Sequence, residues 1–334
     1  MGPPKFWFAE THSLFSLLME PISWFYELIH KARYKKTKPW IAPIPVICIG
    51  NLLIGGQGKT PIALSIGQLL KNKGLKVHFL SRGYGGIIKG PIKVNPTEHT
   101  SREVGDEPLL LAQECETWVS SNRTLGIQSA YQDGAEIVIT DDGFQDPSIN
   151  KDLSVIVIDG EVGFGNGRLL PSGPLRENIY FGLSRAQAVV IMGNDHSNIK
   201  EKLNSFLSNQ QNNAIKVFEA TIVPKTNIRK IKNARLYAFS GIGHPKKFFD
   251  TLERIGCCVI AKINFRDHHQ FSPREVKELV KSAKKQEAML VTTSKDYTRL
   301  SNEQKKYVTE ILVKVKWGSI NDLEILLEKK LAIT

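Results

Sequence analysis

The chain has 334 residues and ordinary shares of apolar (41%) and charged (23%) residues, which exclude wholesale disorder and allow two domain cores. Its formal net charge of +12 predicts an anionic partner, such as a nucleotide, a nucleic acid or an acidic membrane surface. The four cysteines, Cys48, Cys115, Cys257 and Cys258, lack the spacing of a zinc site, so we expect a reducing compartment and no structural metal.

The N-terminal region carries an amphipathic pattern with a wide apolar face. Between Ser13 and His30, polar residues recur every three or four positions and would form one narrow stripe on a helix. Glu20, Pro21 and Glu27 interrupt the apolar run before it reaches the roughly 20 residues of a spanning helix. A basic cluster follows at Lys31, Arg33, Lys35, Lys36 and Lys38. These residues leave two interpretations open: a helix in a membrane surface, or a helix packed on the protein's own core.

The remaining sequence alternates strand-like and helix-like segments, which predicts parallel sheets built from βαβ units. Strands are predicted over Ile44–Ile49, Lys76–Leu80, Glu136–Thr140, Ser154–Ile158, Ala188–Met192, Leu236–Ser240, Val259–Ile263 and Met289–Thr293. Helices are predicted over Thr60–Asn72, Glu107–Val119, Ile199–Gln210, Pro245–Ile255 and Pro273–Lys285. A polar stretch over Pro224–Asn233 predicts a boundary. We therefore expect an N-terminal helix with its basic patch over residues 1–40, a larger α/β domain over 41–225 and a smaller one over 226–334.

The first predicted strand leads into a glycine-rich turn and then a helix, which is the context of a P-loop. Backbone amides of this turn are expected to cradle the triphosphate of ATP, through Ile54, Gly55, Gly56, Gln57, Gly58, Lys59, Thr60 and Pro61. Lys59 would reach the terminal phosphates, and the Thr60 hydroxyl would bind Mg²⁺. Leu53 stands where the usual pattern has glycine, so Gly55 and Gly56 must supply the turn.

Two adjacent aspartates, Asp141 and Asp142, end another predicted strand in the segment AEIVITDDGFQ. Carboxylates at the carboxyl end of a parallel strand emerge where ligands bind in open α/β sheets. Neighbouring carboxylates repel each other unless a cation lies beside them. A turn or a helix cap is the alternative for Asp-Asp-Gly. With a P-loop upstream, we expect both aspartates to hold Mg²⁺.

Nine motifs occur in order along nearly the whole chain: PKFW, GNLLIGGQGKTP, SRGYGG, VGDEPLLLA, DDGFQ, GNGRLLPSGPLRE, SGIGHP, FRDHHQF and TTSKDYTRL. Together they resemble the tetraacyldisaccharide 4'-kinase family, the lipid A 4'-kinases of Gram-negative bacteria. The resemblance implies transfer of the ATP γ-phosphate to the 4'-hydroxyl of an acylated disaccharide 1-phosphate, giving the 1,4'-bisphosphate in lipopolysaccharide biosynthesis. It implies a P-loop NTPase-like α/β/α sandwich and a second, smaller α/β domain, with the substrate cleft between them. It also implies that the N-terminal helix attaches the protein peripherally to the cytoplasmic face of the inner membrane.

The resemblance further implies roles for single residues. Asp106, in VGDEPLLLA, matches the family's catalytic aspartate, and His268 is implied to pair with it. Glu177 matches a position near the metal and is expected to assist Mg²⁺. Substrate or phosphate contacts are expected from Arg82, Tyr84, Gln145 and Arg176. Taken alone, Asp106 would be interpreted as a helix cap and His268 as a surface or core histidine.

The chain departs from the family pattern at three places near these motifs. Asp146 follows DDGFQ where histidine is common, Gln57 replaces a usual threonine in the P-loop, and Asn178 follows LRE where proline is common. An acid at position 146 changes the charge beside the Asp-Asp pair, so any role of that histidine is lost or moved.

A membrane-associated P-loop ATPase switch is the main alternative function. Such proteins usually carry an extra lysine just before the glycines, where this chain has Ile54, and this disfavours the switch. The net charge also raises the possibility of nucleic-acid binding, but paired zinc ligands and aromatic recognition motifs are lacking from the sequence. We therefore expect no nucleic-acid partner and no obligate protein partner.

Overall fold

The computed structural model describes residues 4–9, 13–207, 215–225 and 231–331, which form two mainly parallel β-sheets flanked by helices. The larger sheet contains β1 (Val46–Gly50), β2 (Val77–Ser81), β3 (Ile92–Lys93), β4 (Thr117–Val119), β5 (Ile137–Asp141), β6 (Leu153–Asp159), β7 (Ala188–Met192), β8 (Lys216–Pro224) and β13 (Val313–Trp317). The smaller sheet contains β9 (Arg235–Ser240), β10 (Cys258–Asn264), β11 (Met289–Thr293) and β12 (Thr309–Ile311).

The helices of the described residues fall before, between and after these strands. In the first part of the chain they are α1 (Leu14–Leu18), α2 (Glu20–Lys36), α3 (Lys59–Asn72), α4 (Ser101–Val104), α5 (Asp106–Leu111), α6 (Arg123–Gln132), α7 (Ile179–Leu183) and α8 (Ile199–Leu207). They continue as α9 (Pro245–Arg254), α10 (Pro273–Lys285), α11 (Ser294–Tyr297), α12 (Asn302–Lys305) and α13 (Ile320–Leu331). A short 3₁₀ helix spans Lys5–Phe8.

The larger sheet has the order β13-β8-β7-β6-β1-β5-β2-β4-β3, and its strands are parallel except for β13 and β3 at the two edges. Successive residues of β6 point to opposite faces: Val155 and Val157 pack in the cluster that contains α3 and α13, and Ile156 and Ile158 pack in the cluster that contains α8. Because both faces are covered, the central strands are apolar throughout. The larger unit is therefore an α/β/α sandwich.

The smaller sheet has the order β10-β9-β11-β12, with every neighbouring pair parallel. Phe248 and Leu252 of α9 pack with one face, and Val276 and Leu279 of α10 pack with the other. This unit repeats the three-layer architecture on a smaller scale.

All eight predicted strands are present, each within two residues of its predicted ends. The helix predicted over Glu107–Val119 was wrong in its second half. Helix α5 ends at Leu111, and Thr117–Val119 forms β4, paired with Phe79–Ser81 of β2. The β-branched and aromatic side chains of this segment suit a buried strand better than a helix. The last three residues of the helix predicted over Ile199–Gln210 lie outside the described residues.

The expected extent of the smaller domain, 226–334, needs correction at its end. Strand β13 pairs antiparallel with β8, and α13 packs on the larger sheet through Leu323, Leu327 and Leu331. The chain therefore returns to the larger unit after β12, because these apolar side chains fill its core. The predicted boundary over Pro224–Asn233 includes residues 226–230, which lie outside the described part of the chain.

The N-terminal helices pack on the protein through their polar stripe. The Ser16 hydroxyl donates to the Ser172 carbonyl at 2.7 Å, and the Ser23 hydroxyl donates to the Leu169 carbonyl at 3.0 Å. The apolar side chains are turned away from the core, with Trp24 exposed by 64% and Leu14, Phe15, Leu18, Ile22, Phe25, Leu28 and Ile29 also exposed. No helix in the described ranges is both long and apolar enough to cross a bilayer.

We predict that Leu327→Ala lowers the free energy of unfolding by about 2–5 kcal/mol, because the fully buried side chain leaves a cavity between α13 and the larger sheet. Ile325→Ala is the matched control on the same helix, where the side chain is 60% exposed, and its effect should stay within about 0.5 kcal/mol. Urea unfolding followed by circular dichroism measures both. Equal losses in the two variants would show that α13 does not pack as described.

Candidate active site

The glycine-rich turn lies between β1 and α3 and is fixed at its entrance by a second segment. Leu53 is 1% exposed and forms a bridge with Leu175, and the Ile54 amide donates to the Pro174 carbonyl at 2.9 Å. The departure from glycine at position 53 is thus explained by packing. Gly58 precedes α3 with a φ of +86°, a left-handed conformation that suits glycine at the start of the helix.

The side chains of the glycine-rich turn have two functions: Gln57 supports the turn, and Lys59 extends into the site. Gln57 is buried, and its Oε1 accepts from the Asp159 amide at 2.8 Å, so its side chain braces the turn against β6. Lys59 extends toward the acidic pair, with Nζ 3.7 Å from Oδ1 of Asp142. The ammonium group and the amides at the start of α3 therefore point positive charge toward the same region.

Thr60 and Asp141 form the best candidate for a metal site. The Thr60 hydroxyl donates to Asp141 Oδ2 at 2.9 Å, whereas Asp141 Oδ1 is buried without a hydrogen-bond partner among the described residues. Burial, reinforced by repulsion from Glu107 and Asp142, raises the pKa of Asp141 to about 7. A cation at the unpaired oxygen would satisfy it and favour its ionised form. The hydroxyl and carboxylate oxygens are hard donors that suit Mg²⁺.

No group of three or more acidic, histidine or cysteine side chains in the described residues could hold a metal unaided. This matches the usual behaviour of Mg²⁺ in phosphoryl-transfer sites, where one or two protein ligands are completed by nucleotide phosphates and water.

Asp142 has a different environment from its neighbour. Its φ is +56°, an uncommon conformation for a residue with a side chain, and Arg176 Nη1 donates to its Oδ1 at 2.8 Å. Burial opposes ionisation, but Lys59 and Arg176 outweigh it and keep the pKa of Asp142 below its usual value. The two adjacent aspartates are therefore unlike: Asp142 is already paired with cations, and Asp141 is not.

Glu177 lies beneath the site with both oxygens occupied. Its Oε2 accepts from Arg185 at 2.6 Å, its Oε1 accepts from Gln145 at 3.0 Å, and it is 1% exposed. Gln145 also donates to the carbonyl of Asn51 at 2.7 Å. Glu177 therefore orients Gln145 toward the Asn51 carbonyl, and its expected contact with Mg²⁺ stays a prediction.

Asp146, which stands where the family commonly has histidine, is paired with an arginine. Arg123 donates to its Oδ2 at 2.7 Å and also to the Asp142 carbonyl at 2.8 Å. Burial would raise the pKa of Asp146, but hydrogen bonds from Ser148 and the charge of Arg123 lower it to about 2. The extra negative charge is thus neutralised by the first residue of α6.

Asp106 and His268 come together from different units. Asp106 is the first residue of α5 and is 3% exposed, and His268 follows β10 with a φ of +59°. His268 Nδ1 lies 3.1 Å from Asp106 Oδ2, and the Glu107 amide donates to Asp106 Oδ1 at 3.0 Å. The structure therefore contains the pair that the family resemblance implied, joined by a side-chain contact across 162 residues of sequence.

Sequence reasoning missed two cations beside this pair. Arg299 Nε donates to Asp106 Oδ2 at 2.9 Å, with Nη2 also bonded to that oxygen, and Lys295 Nζ lies 3.9 Å away. Burial alone would raise the pKa of Asp106, but the hydrogen bond with His268 and the charges of Lys295 and Arg299 hold it well below its usual range. The motif TTSKDYTRL, placed after a strand end, was the available signal for both residues.

Two of the predicted substrate residues lie in the loop after β2. Tyr84 is 73% exposed, and its ring centroid is 5.5 Å from that of His268 in an edge-on arrangement. Arg82 is exposed in the same loop. Both side chains are exposed, so an incoming substrate could reach them.

The two sheets face each other through their carboxyl edges. Lys247, in the helix after β9, contacts Asp159 at the end of β6 at 2.5 Å, and Lys295, after β11, contacts Glu107 at 3.1 Å. Loops that follow parallel strands in both units therefore converge on one region, which is where ligands bind in such folds.

Comparison with known proteins gives a consistent result. The family model described as Tetraacyldisaccharide-1-P 4'-kinase matches residues 15–332. A tetraacyldisaccharide 4'-kinase from Rhodospirillum centenum is 42% identical over 98% of this chain and 96% of its own length, and one from Gluconobacter oxydans is 41% identical over 98% and 97%. The crystal structure of LpxK from Aquifex aeolicus in complex with ATP superposes with a TM-score of 0.76, at 27% identity over 95% of this chain and all of that one. The chain therefore belongs to the tetraacyldisaccharide 4'-kinase family.

Proposed function

We propose that this protein transfers the γ-phosphate of ATP to the 4'-hydroxyl of a tetraacyldisaccharide 1-phosphate, giving the 1,4'-bisphosphate used in lipid A biosynthesis. One observation carries the proposal. In a chain of this family, the P-loop and the acidic strand beside it converge on the same region as the Asp106–His268 pair. One half of this arrangement suits a triphosphate, and the other half suits a hydroxyl that must lose a proton.

The nucleotide half is assigned to the P-loop. The amides of residues 54–61 and the start of α3 would surround the phosphates, with Lys59 and Arg176 supplying positive charge near the γ-phosphate. Thr60 and Asp141 would hold Mg²⁺, supported by the unpaired oxygen of Asp141. When bound, the ion would neutralise charge on the transferred phosphoryl group.

The acceptor half is assigned to His268 and Asp106, with His268 as the base and Asp106 as the residue that orients it. Asp106 is nearly inaccessible, and its low pKa makes it a weak base, whereas the His268 side chain is 31% exposed. With Nδ1–H donating to Asp106, Nε2 of His268, which lies 3.8 Å from Asp267 Oδ1 and outside hydrogen-bond distance of it, would accept the hydroxyl proton as the oxygen attacks phosphorus. Asp106 would then orient the ring and stabilise the imidazolium that forms.

The exposed apolar face of α1 and α2 is assigned to the cytoplasmic face of the inner membrane. Its side chains cannot be covered by the core, because the opposite, polar stripe already packs there. A contiguous exposed apolar face next to Lys31, Lys35 and Lys36 suits a helix lying in an anionic lipid surface. A substrate with four acyl chains could then reach the site without leaving the lipid.

The reaction is tested by incubating the purified protein with labelled ATP, Mg²⁺ and the acylated disaccharide 1-phosphate, and locating the new phosphate by mass spectrometry. Phosphate at the 4'-position is expected. ATP hydrolysis without transfer would favour the ATPase switch instead.

Lys59→Ala should lower kcat at least ~10²-fold, because a preorganised cation at the developing phosphate charge is lost. Lys71→Ala, at the far end of the same helix α3, is the matched control and should keep wild-type turnover. Thermal unfolding should be similar for both variants. A Lys59→Ala enzyme with wild-type kcat would remove the P-loop from the mechanism.

The affinity for Mg²⁺, measured by calorimetry with a non-hydrolysable ATP analogue, should weaken between about pH 8 and about pH 6. The pKa of Asp141 is raised, so its carboxyl holds a proton below about pH 7 that competes with the cation, and is ionised above it. Asp141→Asn should bind Mg²⁺ weakly and lose the part of this pH dependence that exceeds the nucleotide's own titration. Identical pH profiles for the two proteins would contradict the assignment.

Replacing Trp24, Phe25 and Leu28 together by Gln should reduce sedimentation with phosphatidylglycerol-containing vesicles at least about tenfold, because binding scales with inserted apolar area. The control replaces Leu125, Tyr131 and Ile325 by Gln, since these residues are comparably exposed outside the N-terminal helices. Equal vesicle binding by the two triple variants would refute the membrane assignment.

A further inference from the structure

Arg299 lies in a fully buried ionic cluster at the boundary between the two units. Its side chain is 0% exposed, and Nη1 donates to the Asp296 carboxylate at 2.8 Å and to the Gly241 carbonyl at 2.7 Å. The remaining edge of the guanidinium, Nε and Nη2, is directed at Asp106 of the larger unit. Both edges of the planar donor fork are therefore used, one within the smaller unit and one across the boundary.

Asp296 holds the guanidinium rigidly because its own carboxylate is fully bonded. Besides Arg299, Oδ1 accepts from the Gly241 amide at 3.0 Å, and Oδ2 accepts from the hydroxyls of Ser240 at 3.0 Å and Thr293 at 2.7 Å. Burying charges is costly unless they are paired and hydrogen bonded. A purely structural role would need only the Arg299–Asp296 pair, which lies wholly inside the smaller unit.

Two contacts connect this cluster with His268. Oδ2 of Asp106, the oxygen that Arg299 engages, is also the one that lies 3.1 Å from His268 Nδ1. The Gly241 carbonyl accepts both from Arg299 Nη1 and, at 3.1 Å, from the His268 amide. Arg299 therefore contacts both the carboxylate that orients the imidazole and the carbonyl that anchors the histidine backbone.

We propose that Arg299 is a positioning residue for phosphoryl transfer: by fixing the Asp106 carboxylate across the boundary, it holds His268 with Nε2 free toward the acceptor hydroxyl. This inference rests on the proposed roles of Asp106 and His268. Arg299 is too deeply buried to touch the substrate, so it acts through these two residues. Lysine at this position could keep the charge but could not bond both carboxylates through a planar fork.

The kinetic test compares Arg299→Met and Arg299→Lys with the wild type. Arg299→Met should lower kcat by at least about tenfold, within the ~10²–10⁴ that positioned acid–base groups contribute, with KM for ATP changed less than about twofold. Arg299→Lys should recover part of the loss. Thr292→Val is the control, because it removes a buried hydrogen bond to the Phe239 carbonyl in the same unit without contacting Asp106.

The pH profile of kcat supplies a readout that general destabilisation does not move. The groups facing Asp106 are His268, Lys295 and Arg299, with Glu107 adjacent to it in the chain, and Asp267 Oδ1 lies 3.8 Å from Nε2 of His268. When the guanidinium is removed, the Asp106–His268 pair holds a proton more tightly, so the acid limb of kcat should move to higher pH in Arg299→Met. Thr292→Val should keep the wild-type limb.

A measurement without turnover separates this inference from the reaction itself. ¹⁵N NMR of His268 should report the Nδ1-protonated tautomer in the wild type and a mixture in Arg299→Met. If Arg299→Met does not fold, as judged by circular dichroism, Arg299→Lys carries the comparison. Wild-type kcat, acid limb and tautomer in a folded variant would overturn the proposal, as would an equal kcat loss in Thr292→Val. A tautomer shift in a protein that fails to phosphorylate the disaccharide would support positioning and reject the proposed function.

Discussion

Parallel strands deliver every following loop to the same edge of their sheet, and in this protein two such edges face each other. Neither unit alone contains all the residues of the proposed site. The P-loop and Asp141 follow neighbouring strands of the larger sheet, whereas His268 and Arg299 follow strands of the smaller one. The acceptor side of the site depends on contacts across the boundary, above all those of Asp106, which belongs to one unit and is bonded chiefly by side chains of the other.

Two buried aspartates, Asp141 and Asp106, lie in opposite electrostatic environments. Asp141 is buried with an unpaired oxygen, so Lys59 and Thr60 stabilise its charge only in part, and the proposed cation would complete that task. Asp106 is equally buried but receives a guanidinium, an imidazole and a nearby ammonium, so its charge is permanent. Divergent environments for two carboxyl groups are a common means of separating catalytic roles. Here they would separate the proposed metal binding from the proposed proton transfer.

Local sequence patterns predicted most of the strands and helices, because central parallel strands are apolar on both faces and are therefore easy to identify in the sequence. The failures arose where tertiary contacts decide. In the sequence, Thr117–Val119 continues a helix-like pattern. In the structure, this segment pairs with β2 as a strand. The segment β13 and α13 rejoined the larger sheet across a long sequence separation, which no local signal encodes.

The site was predicted unevenly for the same reason. Lys59 and Thr60 lie within a short contiguous motif, so their neighbourhood was readable from the sequence. Arg299 is 193 residues from Asp106, and its role depends on a meeting between units. For Glu177, a motif match predicted a metal ligand. In the structure, Arg185 and Gln145 donate hydrogen bonds to its two oxygens, which the motif does not reveal.

The attachment of α2 has a geometric consequence for the choice of acceptor. The Tyr26 hydroxyl donates to the Arg176 carbonyl at 2.9 Å, and the Arg176 side chain bonds Asp142, so the helix is joined to the phosphate site by two successive contacts. If the apolar face of α2 rests in lipid, the elevation of the reacting phosphorus above the bilayer is set by this short connection. A glycolipid whose acyl chains are inserted in the bilayer holds each of its hydroxyls at a different height above the lipid. The height of each hydroxyl would then help to select which one is phosphorylated, before contacts with the sugar discriminate between them.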